Sequence, residues 1–212
     1  MEAKYHIIMA DIISSSQIDK RKDFMKDFRK LIDQTNQNFK EKILSPLTIT
    51  LGDEFQGVVA DTITLIKMLF FMEEQIITKK YPFKLRYSAI YGEIDTEINT
   101  VIAHEMYGSG LTQAREALKT TKETGDNYFI DLNTPQDHQL ELCLKLYQSI
   151  KSEWKTSEYD IIAAFLQYND YKDLEKIGLY KTRSGAWKKR KSLRMEEYNI
   201  IKQLVFNIIG YA

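Results

Sequence analysis

Cysteine and histidine are scarce in this sequence, and their scarcity excludes several kinds of catalytic site. Cys143 is the one cysteine among 212 residues, so neither an internal disulfide nor a zinc site built from several cysteines can form. The three histidines are scattered, and the sequence contains no Gly-x-Ser-x-Gly, His-Glu-x-x-His or Gly-rich Walker motif. We therefore expect neither a serine hydrolase, nor a zinc protease, nor a Walker-type nucleotide-binding protein.

Long apolar runs are also missing. The apolar run at residues 68–72 is far shorter than the roughly 20 residues that a membrane-spanning helix needs. The first residues lead directly into a strand pattern, without the basic and apolar regions of a secretory signal. We expect a cytoplasmic protein that does not enter a membrane, with one or two domains.

The chain has no net charge, but its two parts differ in charge. Residues 1–153 hold 19 Lys and Arg against 23 Asp and Glu, whereas residues 154–212 hold 11 against 7. This change from −4 to +4 predicts that the C-terminal part has a partner of its own. The predicted domains are residues 1–134 and 135–212.

An acidic turn between two short strands is the central feature of the N-terminal part. Apolar residues alternate over residues 47–51 and resume at 55–60, with Gly52, Asp53 and Glu54 between them. The pattern predicts a β-hairpin with two adjacent carboxylates at its tip. These carboxylates either bind a divalent cation, which offsets their repulsion, or face water as an ordinary turn.

A further carboxylate follows the first predicted strand. Residues 4–10 form a nearly continuous apolar run that ends at Asp11, and small polar residues come next. A carboxylate at the end of a central strand, before a helix, is suited to holding a cation that bridges phosphates. Asp11 could instead cap the helix.

The remaining periodicity predicts the order β-α-β-β-α-β. Helices are expected over about residues 17–42 and 62–78, with Pro46 before the hairpin and a further strand at 83–94. This order is that of the ferredoxin-like fold, in which the first strand lies beside the central hairpin. Asp11 would then meet the hairpin acids at one edge of the sheet, which favours a metal site.

Four segments in this order resemble the class III nucleotide cyclases, which have a ferredoxin-like palm. They are residues 9–12, 51–53, 85–94 and 107–115. Over its whole length the chain is most similar to the SatD family, a bacterial group with a palm-like N-terminal part and a C-terminal helix-turn-helix. The resemblance implies an α+β fold, a homodimer, Mg²⁺ or Mn²⁺ as cofactor, and a purine nucleoside triphosphate as ligand.

The resemblance also assigns roles to single residues. Thr112 and Arg115 take the catalytic positions, and Glu105 takes a base-selecting position. The other nucleotide-binding residues and the metal ligands come from the first strand and the hairpin. The expected nucleotide-binding residues are Ile12, Ser14, Ser15, Gly52 and Glu105, and the expected metal ligands are Asp11, Asp53 and Glu54.

The catalytic segment departs from the cyclase pattern. Thr112 replaces an asparagine, and Glu116 stands at the arginine position, so Arg115 is rotated by ~100° on a helix. Ile49 replaces the Lys or Glu that helps to select the base. Arg115 could also be a surface charge paired along its own helix. Two hypotheses stay open: a cyclase or nucleotidyl transferase, and an inactive nucleotide sensor that regulates transcription.

The C-terminal part predicts a helix-turn-helix. Residues 170–179 are typical of a short helix with a turn at Gly178, and residues 182–194 of a basic helix capped by Thr182. The alternative is a solvated basic helix that packs against the acidic N-terminal part. The residues predicted to contact phosphates of double-stranded DNA are Arg183, Lys188, Lys189, Arg190 and Lys191.

Overall fold

The strands of this α+β protein form one mixed sheet in the order β2-β3-β1-β4-β5. The structure is a computed structural model that describes residues 3–14, 21–50, 52–168, 178 and 181–210. β1 pairs antiparallel with both β3 and β4, whereas β5 is parallel to β4. The strands are β1 (Lys4–Ile12), β2 (Ile43–Ile49), β3 (Glu54–Val59), β4 (Leu85–Glu93) and β5 (Tyr128–Asp131).

Seven α-helices lie within the described ranges, and the first six elements follow the predicted order β-α-β-β-α-β. The prediction of the second helix is confirmed, with its Asp61 cap accepting the Thr64 N–H at 2.7 Å. None of the described helices is both long and apolar enough to cross a membrane. The helices are α1 (Arg21–Phe39), α2 (Thr62–Thr78), α3 (Ser109–Thr124), α4 (Asp137–Ser152), α5 (Tyr159–Gln167), α6 (Arg183–Ser192) and α7 (Met195–Ile208).

The position of Pro46 differs from the prediction, because this proline lies inside β2 rather than before the hairpin. β2 is an edge strand, and its pairing with β3 is irregular between Ser45 and Thr48. Proline has no N–H to donate to a neighbouring strand, and it is tolerated here because an edge strand with irregular pairing does not require that donor. The expected first turn of α1, at residues 17–20, lies outside the described residues.

The sheet separates two groups of buried side chains. Along β1, Ile8 faces α1 and α2, whereas Ile7 and Met9 face α3, because successive side chains point to opposite faces. The larger group also contains Tyr147 of α4 and Tyr198 of α7, so the C-terminal helices share this core. The face toward α3 carries the smaller group, and the candidate site lies on this face.

Two glycines bring α3 unusually close to β4. A Cβ atom added at Gly110 would lie 2.7 Å from the carbonyl carbon of Gly92, which is closer than real Cβ atoms approach other heavy atoms. Further along α3, the Ser88 hydroxyl donates to the Ala114 carbonyl at 2.7 Å. These contacts fix the position of α3, and with it the residues that α3 presents at the site.

Candidate functional site

A row of charged side chains crosses the end of the sheet on the α3 face. Asp11 of β1 lies opposite Glu54 of β3 on one side and opposite Arg86 of β4 on the other. Directly opposite residues in antiparallel strands point to the same face, so these three side chains share the face of Met9. Arg86 Nη1 donates to Asp11 Oδ2 at 3.2 Å. We call Glu54, Asp11 and Arg86 the charged row.

The acidic turn lies directly against the charged row. The Ile12 N–H donates to the Asp53 carbonyl at 2.9 Å, which holds the turn at the end of β1. Gly52 has a φ of +84°, a conformation that glycine adopts without strain. The structure therefore brings Asp11 and Asp53 together at one edge of the sheet, although 42 residues separate them in the sequence.

Burial dominates the electrostatics of Asp11. It raises the pKa of the Asp11 carboxyl, Arg86 and Lys122 lower it, and the charges of Asp53 and Glu54 raise it further. Asp11 Oδ1 is buried and has no hydrogen-bond partner in the described part of the chain. A buried carboxylate oxygen without a donor, close to two more acids, fits a divalent cation.

The acids near Asp11 do not form a closed metal site by themselves. Within the described ranges, no three His, Cys, Asp or Glu side chains are grouped closely enough to hold an ion alone. A cation here would therefore complete its shell with oxygens from water or from a phosphate ligand. Mg²⁺ commonly binds in this way, through one or two carboxylates and the phosphates of its substrate.

An open cleft of about 500 Å³ lies beside the charged row, between α3 and the segment at residues 94–108. Its floor is the sheet, where Met9 and Gln56 line it. Three residues to which the resemblance assigned roles also line it, namely Glu105, Thr112 and Arg115. The volume is within the usual range of small-molecule sites.

Arg115 connects the cleft to the charged row. Its Nη2 donates to Glu54 Oε1 at 3.5 Å, and its side chain is 57% exposed, whereas that of Glu54 is 15% exposed. Arg115 stands one residue before the position where the cyclases have their arginine, which Glu116 occupies here. Both residues line the cleft, so this shift of one position does not take Arg115 out of it. The partner of Arg115 is thus Glu54 on a distant strand, and not a neighbour on its own helix.

The segment at residues 94–108 is tied to the sheet through Ala103. The Gln56 amide donates to the Ala103 carbonyl, and the Ala103 N–H donates to Thr48 Oγ1 at 2.9 Å. Glu105, which follows in the same segment, has a φ of +59°, a left-handed conformation that is unusual for glutamate. The sequence-based prediction missed Gln56. The signal that could have identified it is the presence of a polar residue on the buried face of β3.

None of the other predicted nucleotide-binding residues that the structure describes lines the cleft. Ile12 is 3% exposed and packs in the core on the opposite face, and its N–H is already bonded to Asp53. Ile49 packs against the same core, so this base-selecting position does not line the cleft. Ser14 has a φ of +56°, and Ser15 lies outside the described residues.

The basic helix α6 is partly neutralised by the chain itself. The prediction of its cap is confirmed, because Thr182 Oγ1 accepts the Gly185 N–H at 3.1 Å. Lys189 pairs with Glu158, and Lys191 Nζ lies 2.7 Å from Glu196.

The helix predicted to precede α6 lies outside the described residues, except for Gly178. Gly178 has a φ of +74°, as in a left-handed turn. On α6 itself, Lys188 is exposed, and Arg190 is half-buried. Arg183, the remaining predicted phosphate contact, is the first residue of the helix.

The comparison with known families gives a match over most of the chain. The sequence model of the SatD family matches residues 5–191. No curated protein matches the sequence. The chain therefore belongs to the SatD family.

Proposed function

We propose that this SatD-family protein binds the metal complex of a purine nucleoside triphosphate in the cleft beside the charged row. One observation carries the proposal: Glu105, Thr112 and Arg115 line a single cleft, and Arg115 bonds to Glu54 at the acidic end of the sheet. The cleft thus combines apolar walls for a base with charged groups for phosphates. Met9 and Leu111 supply part of the apolar wall.

Asp11, Asp53 and Glu54 are the side chains that would hold Mg²⁺ or Mn²⁺. The ion would neutralise phosphate charge and polarise a phosphoryl oxygen. The unpartnered Oδ1 of Asp11 supports this assignment, because a cation would satisfy it. On this proposal Arg115 and Thr112 donate hydrogen bonds to the phosphates, and Arg86 keeps Asp11 oriented toward the site.

The sequence segments and the strand order support a ferredoxin-like palm related to the class III nucleotide cyclases. The order β2-β3-β1-β4 with antiparallel pairing is the one expected for such a palm. The corresponding activity would be nucleotide cyclisation or nucleotidyl transfer. Thr112 and Glu116 stand where the cyclases have Asn and Arg, so an inactive nucleotide sensor is the alternative within the same proposal.

The test measures binding and turnover separately. The purified protein is incubated with each of the common nucleoside triphosphates and Mn²⁺, products are identified by mass, and affinities are measured by calorimetry. We expect ATP or GTP to bind, and Asp53→Ala to weaken binding at least about tenfold. Asp33→Ala removes an exposed acid on α1 and serves as the control. The proposal is wrong if no nucleotide binds in the presence of metal.

We also propose that the protein is a homodimer, with the segment at residues 94–108 at the interface. Val101 and Tyr107 of this segment are 77% and 71% exposed, and apolar groups exposed together on a surface often mark an interface. Tyr107 also lines the cleft. A second copy over this segment would help to exclude water from a bound nucleotide.

The exposed cations of α6 favour a second function, binding of double-stranded DNA through a helix-turn-helix. Lys188 is exposed beside Trp187, whose side chain is also largely exposed. Left-handed Gly178 is consistent with the turn before α6. Basic side chains of this kind bind DNA phosphates, and binding should weaken steeply with salt.

A further inference from the structure

The ion pair between Arg115 and Glu54 joins an exposed side chain to a largely buried one. Glu54 is fixed by the hairpin, because Thr50 holds both its backbone and its side chain. The Thr50 N–H donates to the Glu54 carbonyl at 2.8 Å, and Thr50 Oγ1 lies 3.4 Å from Glu54 Oε1. Arg115 has a long side chain that is 57% exposed, and its one bond to Glu54 is 3.5 Å long. Arg115 is therefore the partner that can move away from the pair.

Arg115 is also the one Lys or Arg among the described residues that line the cleft. Arg86 cannot replace it, because its side chain is 9% exposed and is bonded to Asp11. Moving Arg86 into the cleft would leave the Asp11 carboxylate buried and without its countercharge, which is strongly unfavourable. Phosphates in the cleft thus depend on Arg115 for direct contact with an arginine or lysine.

The charges around the cleft oppose a nucleotide that arrives without a metal ion. Glu105 and Glu116 line the cleft, and Glu54 lies beside it, bonded to Arg115 of the cleft wall. Arg115 is paired with Glu54. A metal-free triphosphate, which is strongly anionic, would meet these acids and would have to break the ion pair to gain its arginine contact.

We propose that Glu54 is a specificity-determining residue that makes the site select metal-complexed nucleotide over free nucleotide. This inference rests on the proposed function. When the ligand brings a cation, Glu54 binds that cation where it stands, and Arg115 leaves the pair and bonds to the phosphates. When the ligand brings none, Glu54 keeps Arg115.

The experiment measures the dissociation constants of ATP and GTP by calorimetry, once with Mn²⁺ and once with EDTA. For Glu54→Gln, we expect metal-free nucleotide to bind about three- to fivefold more tightly, because Arg115 is released from its ion pair with Glu54. Metal-complexed nucleotide should bind more weakly, because a ligand of the cation is lost. The preference for the metal complex is the ratio of the two dissociation constants. Because both constants change so as to lower this preference, it should fall by more than either constant changes.

Glu116→Gln is the matched control. It removes the same charge from the same cleft, but Glu116 is not the partner of Arg115. It should shift both dissociation constants in the same direction and by a similar factor, which leaves the preference unchanged.

Arg115→Gln gives an independent measurement that does not depend on the folding of the Glu54 variant. Because Glu54 occupies Arg115 when metal is absent, this variant should weaken the metal complex several-fold and should change metal-free binding little.

The outcomes separate the inference from the proposed function. If nucleotide binds but Glu54→Gln and Glu116→Gln have the same effect, or if Arg115→Gln weakens both forms equally, then the inference is overturned while the proposed function stands. If no nucleotide binds even with Mn²⁺, both are overturned. A preference that falls in Glu54→Gln alone supports the inference.

Discussion

Among single residues, Asp11 has the strongest control over what the site can bind. Its carboxylate is buried between Arg86, which neutralises it, and the acids of the turn, which repel it. Burial raises the pKa of this carboxyl in spite of Arg86. Asp11 is therefore easier to protonate than an exposed aspartate, and protons compete with a cation for it.

This competition predicts a pH dependence. As the pH falls from neutral through the raised pKa of Asp11, affinity for Mn²⁺-nucleotide should decrease, since the protonated carboxyl is a poor metal ligand. In Asp11→Asn, binding should be weaker at neutral pH and should lose this part of the pH dependence. Calorimetric titrations of both proteins over a pH series check the prediction, and an unchanged pH profile in Asp11→Asn would contradict it.

The raised pKa of Asp11 also affects folding stability, which should decrease over the pH range in which nucleotide affinity increases. Because the folded pKa is raised, the folded state holds more protons than the unfolded state between the two pKa values. The contribution of Asp11 to stability is therefore favourable below this window and is lost as the pH rises through it. The charged row thus favours ligand binding at neutral pH at some expense of folding stability.

Among the elements, α3 determines the geometry of the cleft, because it carries both Thr112 and Arg115. Its N-terminal turn lies against the backbone of β4, where Gly110 meets Gly92 and no Cβ fits. If apolar side chains alone held α3 against the sheet, the helix could shift slightly while they repacked. Because the helix backbone contacts the strand backbone directly, α3 has no such freedom.

We predict that Gly110→Ala displaces α3 and damages the cleft. The added Cβ should destabilise the fold by about 1–3 kcal/mol, as overpacking commonly does, and should weaken nucleotide binding further in the molecules that remain folded. Thermal denaturation and calorimetry measure the two effects.

Gly125→Ala is the control for Gly110→Ala. Gly125 has a φ of +80° and open space around its Cβ position at the other end of α3. It should cost about 1 kcal/mol through backbone strain without moving the cleft. Equal losses of affinity in the two variants would show that stability alone accounts for the effect.

Elements formed by local signals could be predicted from the sequence, and their order also predicted that Asp11 meets the acidic hairpin. The side-chain pairs that distant elements form could not be predicted. The limits of α2 follow from its apolar pattern and the Asp61 cap, all within a few residues. By contrast, Asp11 and Arg86 are 75 residues apart, and Glu54 and Arg115 are 61 apart. These pairs depend on strand register and on how closely α3 approaches β4, and neither is encoded in a short segment.

In the whole molecule, exposed apolar groups near the cleft predict a dimer. Val101→Asp should weaken dimerisation at least about tenfold, because it places a charge in an apolar interface. Leu142→Asp alters an exposed apolar residue on α4, away from the segment at residues 94–108, and should leave the dimer intact. Sedimentation equilibrium measures both variants. A wild-type protein that is monomeric at all concentrations would rule out the dimer.

The cations of α6 differ in whether they are already paired within the chain, and this bears on DNA binding. α6 carries a cluster of cations, but Lys189 and Lys191 already pair with acids of the chain. Lys188 is exposed, and no ion pair is found for it in the described part of the chain. We therefore expect Lys188 to contact DNA phosphates more than Lys189 and Lys191 do, although the sequence alone does not distinguish these lysines.

Lys188→Gln should weaken binding to duplex DNA at low salt and should reduce the slope of log affinity against log salt by about 1, as expected when one phosphate contact is lost. Lys189→Gln should instead lower thermal stability, because it leaves Glu158 without its partner, and should change the salt slope less. Fluorescence anisotropy with a random duplex over a series of salt concentrations measures both slopes. If the two variants change the slope equally, then pairing within the chain does not govern which lysines contact DNA. If the wild-type protein does not bind DNA at low salt, then α6 is a structural helix.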